Sequence, residues 1–555
     1  MDVKTLVDNR ITELQPIYDR MDSTRDLIYM KRFTLMDFDG KTPLTDVVNE
    51  TLNTPAVFAN SMISDLMGSV FQWQIEGDRK LSVAKQRLVR NFIMDLLAQI
   101  DEQLVQGQGM PSLQSWLSSH VVARSLIGAR LISQVINGEY TVDCLPTDMR
   151  YCPFQFGKKG LDWACNITYR TYAAVKDEYS GYQGNENETD IEVRDFWSTK
   201  ENEVSVGKQT VVKQTHKFGR VPFIIVLPAS GFMLRDKDYL AHESEDPLFL
   251  DKNLFDEDNR LASIAATKGM ETVRPAYQQK VKDVDSAPAE APPGLGETKK
   301  VSIEGGWEPL KRPDINQAFL TATDTIKTAL RQGGLNDIDL GNVDPQNMSA
   351  ILLSKQNEIR SKFRKPRLEA IEIFYQQFAR MAIEQYNKCL ENTNGAEIVV
   401  GQTGRKKVYD NLGDPSTYVI NAKLMSHDKT MEIANASVAS SLWEKLPDEW
   451  IIENILQAED TDEIMRKLAV QKAKRADPFI EYFELAIRYA EEAEEMTDVD
   501  ADIKKIESMK LTDICVSILQ QRNMPQQPAP GNQEKPQTNA LAAMAARSGI
   551  LPGGA

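Results

Sequence analysis

The sequence is short of the groups that enzymes and metal proteins concentrate. Its four histidines, His120, His216, His242 and His427, stand far apart. Its five cysteines, Cys144, Cys152, Cys165, Cys389 and Cys515, are odd in number and never spaced CxxC. That pattern argues against a disulfide scaffold or paired-thiol zinc site and fits free thiols in a reducing cytoplasm. No phosphate loop is present. Gly207-Lys208 runs into Gln209, and Gly401 to Lys406 has the wrong spacing. HExxH and GxSxG are missing too. Asp337-Ile338-Asp339 comes nearest to a carboxylate pair and reads as a solvated loop. Apolar runs such as Phe223 to Leu227 fall far below the roughly 18 residues that span a bilayer. Met1-Asp2-Val3-Lys4 opens no signal peptide. The expectation is a protein made in the cytoplasm, with no catalytic residues, cofactor, metal or membrane partner.

Positive charge is also in deficit. Lysine and arginine number 65 against 81 acids, a formal charge of −16. Such a chain does not coat DNA by charge attraction, although DNA can pass it without sticking. The imbalance is local. Asp448 to Asp500 holds sixteen acids and six basic residues, whereas Arg274 to Arg312 holds seven basic residues and six acids.

Helix and strand signals organise the rest into several domains. Leu14, Ile17, Tyr18 and Met21 recur at helix spacing. Thr54-Pro55 predicts a helix start with a capping hydroxyl, ended by Gly68. Phe71, Trp73 and Ile75 alternate as a strand, and helices follow near 80–107 and 111–127. Residues 129–228 read as strands, with a hairpin at Asn137-Gly138 and strands at Trp163 to Tyr172, Ile191 to Trp197 and Phe218 to Val226.

Residues 244–391 are the most informative stretch. Asp246-Pro247 predicts a helix to Arg274 with the stripe Leu250, Leu254, Leu261 and Ala265, about 40 Å long. A proline- and glycine-rich stretch follows, with strand candidates at Tyr277–Val281 and Lys299–Ile303. A second helix spans Asp314 to Gln332, on the stripe Ile315, Phe319, Ala322, Ile326 and Leu330. Gly333-Gly334 stops it and opens a loop. A helix from Asp344 to about Glu391, roughly 65–70 Å long, carries Pro366 as a kink and the stripe Ile371, Phe374, Phe378 and Met381. Strands return at 397–400, 407–409 and 418–423, then helices. Residues 524–555 read as a disordered tail rich in proline and glutamine. Arg360, Lys362, Arg364, Lys365 and Arg367 form a basic run that reads either as a phosphate contact or as a face paired with acids.

This order of parts resembles the portal (head–tail connector) proteins of tailed double-stranded DNA bacteriophages. The resemblance is organisational and covers nearly the whole chain. It implies an α+β, mainly helical fold assembling as a ring: wing 1–243, first stem helix 244–273, clip 274–312, second stem helix 313–332 and tunnel loop 333–347. A long kinked wing helix with wing strands at 348–425, a helical crown at 426–523 and the tail complete it. The ring would have twelve subunits at one capsid vertex of the virion. Its partners would be itself, major capsid and scaffolding proteins, terminase large subunit, adaptor and tail proteins, and the DNA in its channel.

Site candidates follow from that alignment of parts. They are Gly333, Gly334, Asp337, Asp339 and Gly341 in the tunnel loop, and Lys252, Lys268, Lys327 and Arg331 on the stem facing DNA. Lys280, Lys282, Lys299, Lys300 and Trp307 are the clip candidates. Two other classes stay open: a different virion or scaffold protein with helical arms, and a metal-dependent nuclease with unrecognised carboxylates.

Overall fold

The computed structural model describes residues 2–37, 39–45, 47–77, 81–231, 234–273, 277–280, 306–309, 317–333, 350–393, 397–426, 436, 439–443, 445–456, 461–495 and 499–523. The fold is mixed α and β, and helical residues outnumber strand residues by more than two to one. The chain divides into two compact units, Met1–Asn435 and Ala436–Ala555.

The first unit is built on two five-stranded sheets and one long helix. The first sheet has the order β13-β12-β3-β2-β9. Its centre is the hairpin of β2 (Ile127–Ile136) and β3 (Glu139–Thr147). Asn137 and Gly138 turn it, both at positive φ (53° and 82°), as a two-residue turn of matching twist requires. On its flanks lie β9 (Phe223–Val226), β12 (Val399–Val400) and β13 (Lys407–Val408). The second sheet runs in sequence order: β4 (Phe154–Gly157), β5 (Gly160–Arg170), β6 (Ile191–Ser198), β7 (Glu201–Val206) and β8 (Gln209–Thr215). A short helix, α5 (Tyr172–Glu178), interrupts it after β5.

Helix α8 (Ala350–Asn392) runs unbroken through Pro366 and passes its predicted stripe into the main core. Ile371, Phe374 and Phe378 are fully buried, and Met381 nearly so. They meet α3 (Val83–Glu102) through Phe92, Leu96 and Ile100, along with α4 (Leu113–Ala123) and β2. The helix predicted over 80–107 is thus α3 followed by a π-turn, Gln103–Gly107. Strand β1 (Ser69–Gly77) pairs along its whole length with β14 (Tyr418–Ser426) as a separate two-stranded ribbon. The first helix, α1 (Val3–Ile28), buries Leu14, Ile17, Tyr18 and Met21 against the second sheet's Phe154, Ala164 and Trp197. Helix α2 (Thr54–Met67) corrects one expectation. Asn53, not Thr54, takes the cap position, and it makes no side-chain cap bond.

Helix α6 (Lys252–Val273) and α7 (Gln317–Gln332) pack on each other and bracket a small hairpin, β10 (Tyr277–Lys280) with β11 (Gly306–Pro309). The first of these starts later than Asp246-Pro247 predicts. Asp246 is 4% exposed and accepts the Leu248 backbone N–H. A 3-10 turn, Phe249–Asp251, then leads into the helix. Its predicted stripe is also wrong in part. Leu250 is 62% exposed, and the buried row is Phe255, Asn259 and Ser263 with Leu261. On α7 the described part of the stripe holds, with Ile326 and Leu330 buried and Phe319 packed on the core, and Ile315 lies outside the described residues.

The second unit contains α9 (Asp448–Asn454), α10 (Thr461–Ala476), α11 (Pro478–Glu495) and α12 (Val499–Asn523). Asp477 accepts the Phe479 N–H at 3.0 Å just before Pro478, an acid-then-proline start to α11. Inside the unit α11 and α12 are the main packed pair. Apolar side chains still face outward: Phe483 is 50% exposed, Ile506 54% and Met509 67%.

Candidate functional site

The α6–α7 excursion is held at its root by a buried charge cluster. Arg20 on α1 is 8% exposed and donates to three backbone carbonyls, Ala241 (2.7 Å), Glu243 (2.8 Å) and Ser244 (3.0 Å). Its Nε lies 3.8 Å from Asp246 Oδ2, which also accepts the Thr24 hydroxyl at 2.9 Å. From the other side Arg367 on α8, 5% exposed, donates to the Glu245 carbonyl at 2.6 Å. Burial pushes the Asp246 carboxyl up against the pull of Arg20, and lowers Arg367 to about 10. Ser244 sits at φ 54°, where a non-glycine residue needs support. Its carbonyl accepts from Ser125 and Arg20, and its hydroxyl donates to Pro228. Three segments distant in sequence are thereby locked to the residues that launch α6.

Along its length α6 is held by a strap of extended chain. The backbone N–H groups of Val48, Glu50 and Leu52 donate to Thr267 Oγ1 (3.0 Å), Ser263 Oγ (2.9 Å) and Asn259 Oδ1 (2.8 Å). Every second strap residue thus meets every fourth helix residue, in opposite directions. The spacing explains the fit. Four helix residues rise about 6.0 Å, and two extended residues span about 6.6–6.8 Å. Thr267 and Ser263 each donate to the carbonyl four residues earlier, at 2.8 Å, which fixes the hydroxyl and leaves its lone pairs toward the strap. The strap in turn holds an arm: Phe33 N–H donates to Thr51 Oγ1 and Leu35 N–H to Asn49 Oδ1. Reading the sequence for apolar stripes misses this face. The helix surface that the strap covers is polar because it binds backbone.

The stem candidates stand beside acids. Lys268 pairs with Glu271 at 2.8 Å. Lys252 lies near Asp256 and Lys327 near Asp258, in each case opposing the upward push of burial on the carboxyl. Arg331 is exposed in the last turn of α7. Lys280 lies in β10 and Trp307 in β11, with Lys280 opposite Gly306 in the register. Gly333 closes α7, its N–H donating to the Ala329 carbonyl. Lys282, Lys299, Lys300, Gly334, Asp337, Asp339 and Gly341, and with them the strand candidate at 299–303, lie outside the described residues.

Of the three members of the basic run on α8 whose side chains are described, Arg364 and Arg367 have partners in the fold and Lys365 is exposed. Arg364 reaches Asp65 at 3.3 Å, and Arg367 belongs to the buried cluster. Among the described residues no group of three or more His, Cys, Asp and Glu is placed to hold a metal ion, and no helix is long and apolar enough to cross a membrane. The five cysteines are free. A groove of about 1480 Å³ lies elsewhere in the first unit, lined by Phe156, Arg220, Arg380, Glu384 and Tyr418 among others. None of the predicted site residues lines it.

No protein-family model matches the sequence, and no curated protein matches it. Solved structures with related shape include a chain from the "neck of empty GTA particle computed with C6 symmetry". It has a TM-score of 0.37 and 12% identity over 71% of this chain and 85% of that one. Another comes from the "virion of native gene transfer agent (GTA) particle", with a TM-score of 0.34 and 11% identity over 71% and 84%.

Proposed function

We propose that the chain is a portal subunit, a structural protein that forms a ring at one capsid vertex and conducts double-stranded DNA. The observation that carries this is the helix–hairpin–helix excursion, α6, β10–β11 and α7, anchored at a buried root and followed by the 43-residue α8. An isolated chain gains little from such an excursion. In a ring, paired helices line a channel and the hairpin protrudes as the clip. The outward apolar side chains of α11 and α12 fit the same reading, because surfaces of that kind mark contacts with other chains. The net acidic balance keeps DNA from adhering to the channel wall. In this reading Lys252, Lys268, Lys327 and Arg331 give weak, acid-tempered contacts to phosphate, and residues 333–347 form the loop nearest the DNA.

The clip would dock the terminase and later the adaptor. Replacing residues 275–312 by a short Gly/Ser linker should abolish binding to either while rings still form. Unchanged binding would move the docking surface elsewhere. Deleting residues 335–343 should leave rings intact and impair packaging or retention of DNA. Loss of ring assembly with normal packaging in any heads formed would refute the loop assignment.

A further inference from the structure

Asp251 stands immediately before α6 and is 2% exposed. Its carboxyl lies against Gly333, at the end of α7. A β-carbon added there would sit 1.9 Å from Oδ1, so glycine is required. Oδ2 is buried with no hydrogen-bond partner. A carboxylate is badly placed here on two counts. Its Oδ2 has no donor, and the carboxyl faces the C-terminal end of a helix, where the dipole is negative and the last carbonyls have no helical partner. A neutral carboxyl has neither difficulty, because its O–H is a donor and the end of α7 offers acceptors.

Neighbouring charges do not relieve the anion. On α6, Lys252 stands beside Asp256, and Arg260 is bound to Glu257. On α7, Lys327 stands beside Asp258, with Asp324 and Arg331 the other charged groups of that half of the helix. Upstream, Glu245 pairs with His242 and Asp246 with Arg20. Burial alone acts on the Asp251 carboxyl and pushes it up from 3.8 to about 6.

We propose that the α6–α7 junction is a protonation-dependent clasp, in which Asp251 seats the end of α7 as a neutral acid and loosens it as an anion. The proton moves between the Asp251 carboxyl and solvent, and no other group changes. Because the seated value is raised, the contribution is full below about 3.8 and is lost as pH rises through about 6. Seating therefore weakens about ten-fold between pH 5 and 7 and hardly further above 7. The clasp belongs to the single chain and is independent of the ring reading.

Hydrogen exchange of amides 318–332 in the full chain, each rate divided by its intrinsic rate at pH 5, 6, 7 and 8, tests this. Wild type should lose about ten-fold protection from pH 5 to 7 and then level off. Asp251→Asn donates at every pH and should stay flat, above the wild-type pH 5 level, because at pH 5 part of the wild-type contribution is already lost. Gly333→Ala should lower protection at every pH. A flat wild-type profile, or an Asp251→Asn profile that still falls like wild type, overturns the clasp. Should Asp251→Asn fail to fold, Asp258→Asn decides with the wild-type profile. It must keep the fall, and losing it would assign the titration to Asp258 and overturn the proposal.

Discussion

Removing the acceptors on α6 should release the strap without unfolding the rest of the first unit. The triple change Asn259→Ala, Ser263→Ala and Thr267→Val deletes the partners of the Leu52, Glu50 and Val48 N–H groups. Each neutral hydrogen bond contributes about 1 kcal/mol net, because the freed N–H finds water when the strap lifts. Three together make about 3 kcal/mol, or about a hundred-fold shift in the opening equilibrium. Hydrogen exchange followed by mass spectrometry at fixed pH reads this directly. Peptides covering 47–53 should exchange about a hundred-fold faster in the triple variant. The arm amides of Phe33 and Leu35 should accelerate with them, since their acceptors ride on the strap. Amides of the buried α3 residues Phe92 and Leu96 should not change. Strap exchange within three-fold of wild type would show that the ladder does not hold the strap. Equal acceleration in α3 would show that the changes unfold the whole unit.

Other perturbations test separate parts of the account. Arg20→Met leaves three carbonyls and Asp246 without their buried cation, and should cost about 3–5 kcal/mol in urea unfolding of the first unit. Adding Asp246→Asn should recover part of that loss, and strict additivity of the two would show that they are not coupled. His120 stacks on Trp116 with ring centroids 4.3 Å apart, and burial lowers it from 6.5 to about 4. Its folded value is depressed, so the neutral ring's contribution is present above 6.5 and is lost as pH falls toward 4. His120→Gln should therefore flatten acid unfolding by on the order of 2 kcal/mol over that window, and an unchanged acid limb would contradict the assignment. Gly128→Ala places a β-carbon 2.6 Å from Met149 Sδ and 3.2 Å from the Ile224 carbonyl, and should lower the urea midpoint of the first unit. A midpoint at or above wild type would show that β2 has room there.

Local signals carried much of the fold. The Asn137-Gly138 turn, the α8 stripe and the α7 stripe each follow from short-range chemistry, and the structure places all three as the sequence implies. The misses share a cause. The pairing of β1 with β14 joins residues almost 350 positions apart, and nothing in Phe71, Trp73 or Ile75 names its partner. Leu250 looks like the first residue of an apolar stripe, but α6 begins after it and buries Asn259 and Ser263 instead. That choice is set by the strap, which binds through backbone and leaves no apolar pattern in its own sequence. Arg20 carries no signal in the sequence, and Arg367 reads only as one member of a basic run, until tertiary structure brings both to one loop. Asp251 and Gly333 are separated by a whole excursion, and Gly333 reads in the sequence as a helix stop and a tunnel-loop candidate, with nothing to pair it with Asp251. The α6–α7 pair itself was legible because prolines and glycines punctuate it.

Whether the purified full-length chain forms a ring tests the central claim most directly. Electron microscopy of negatively stained particles, with native mass measurement on the same sample, gives the answer. The account predicts closed rings of one or a few discrete subunit numbers, with a central channel wide enough for duplex DNA. A monodisperse monomer at high concentration that also stays out of rings when capsid and scaffolding proteins are supplied would contradict it.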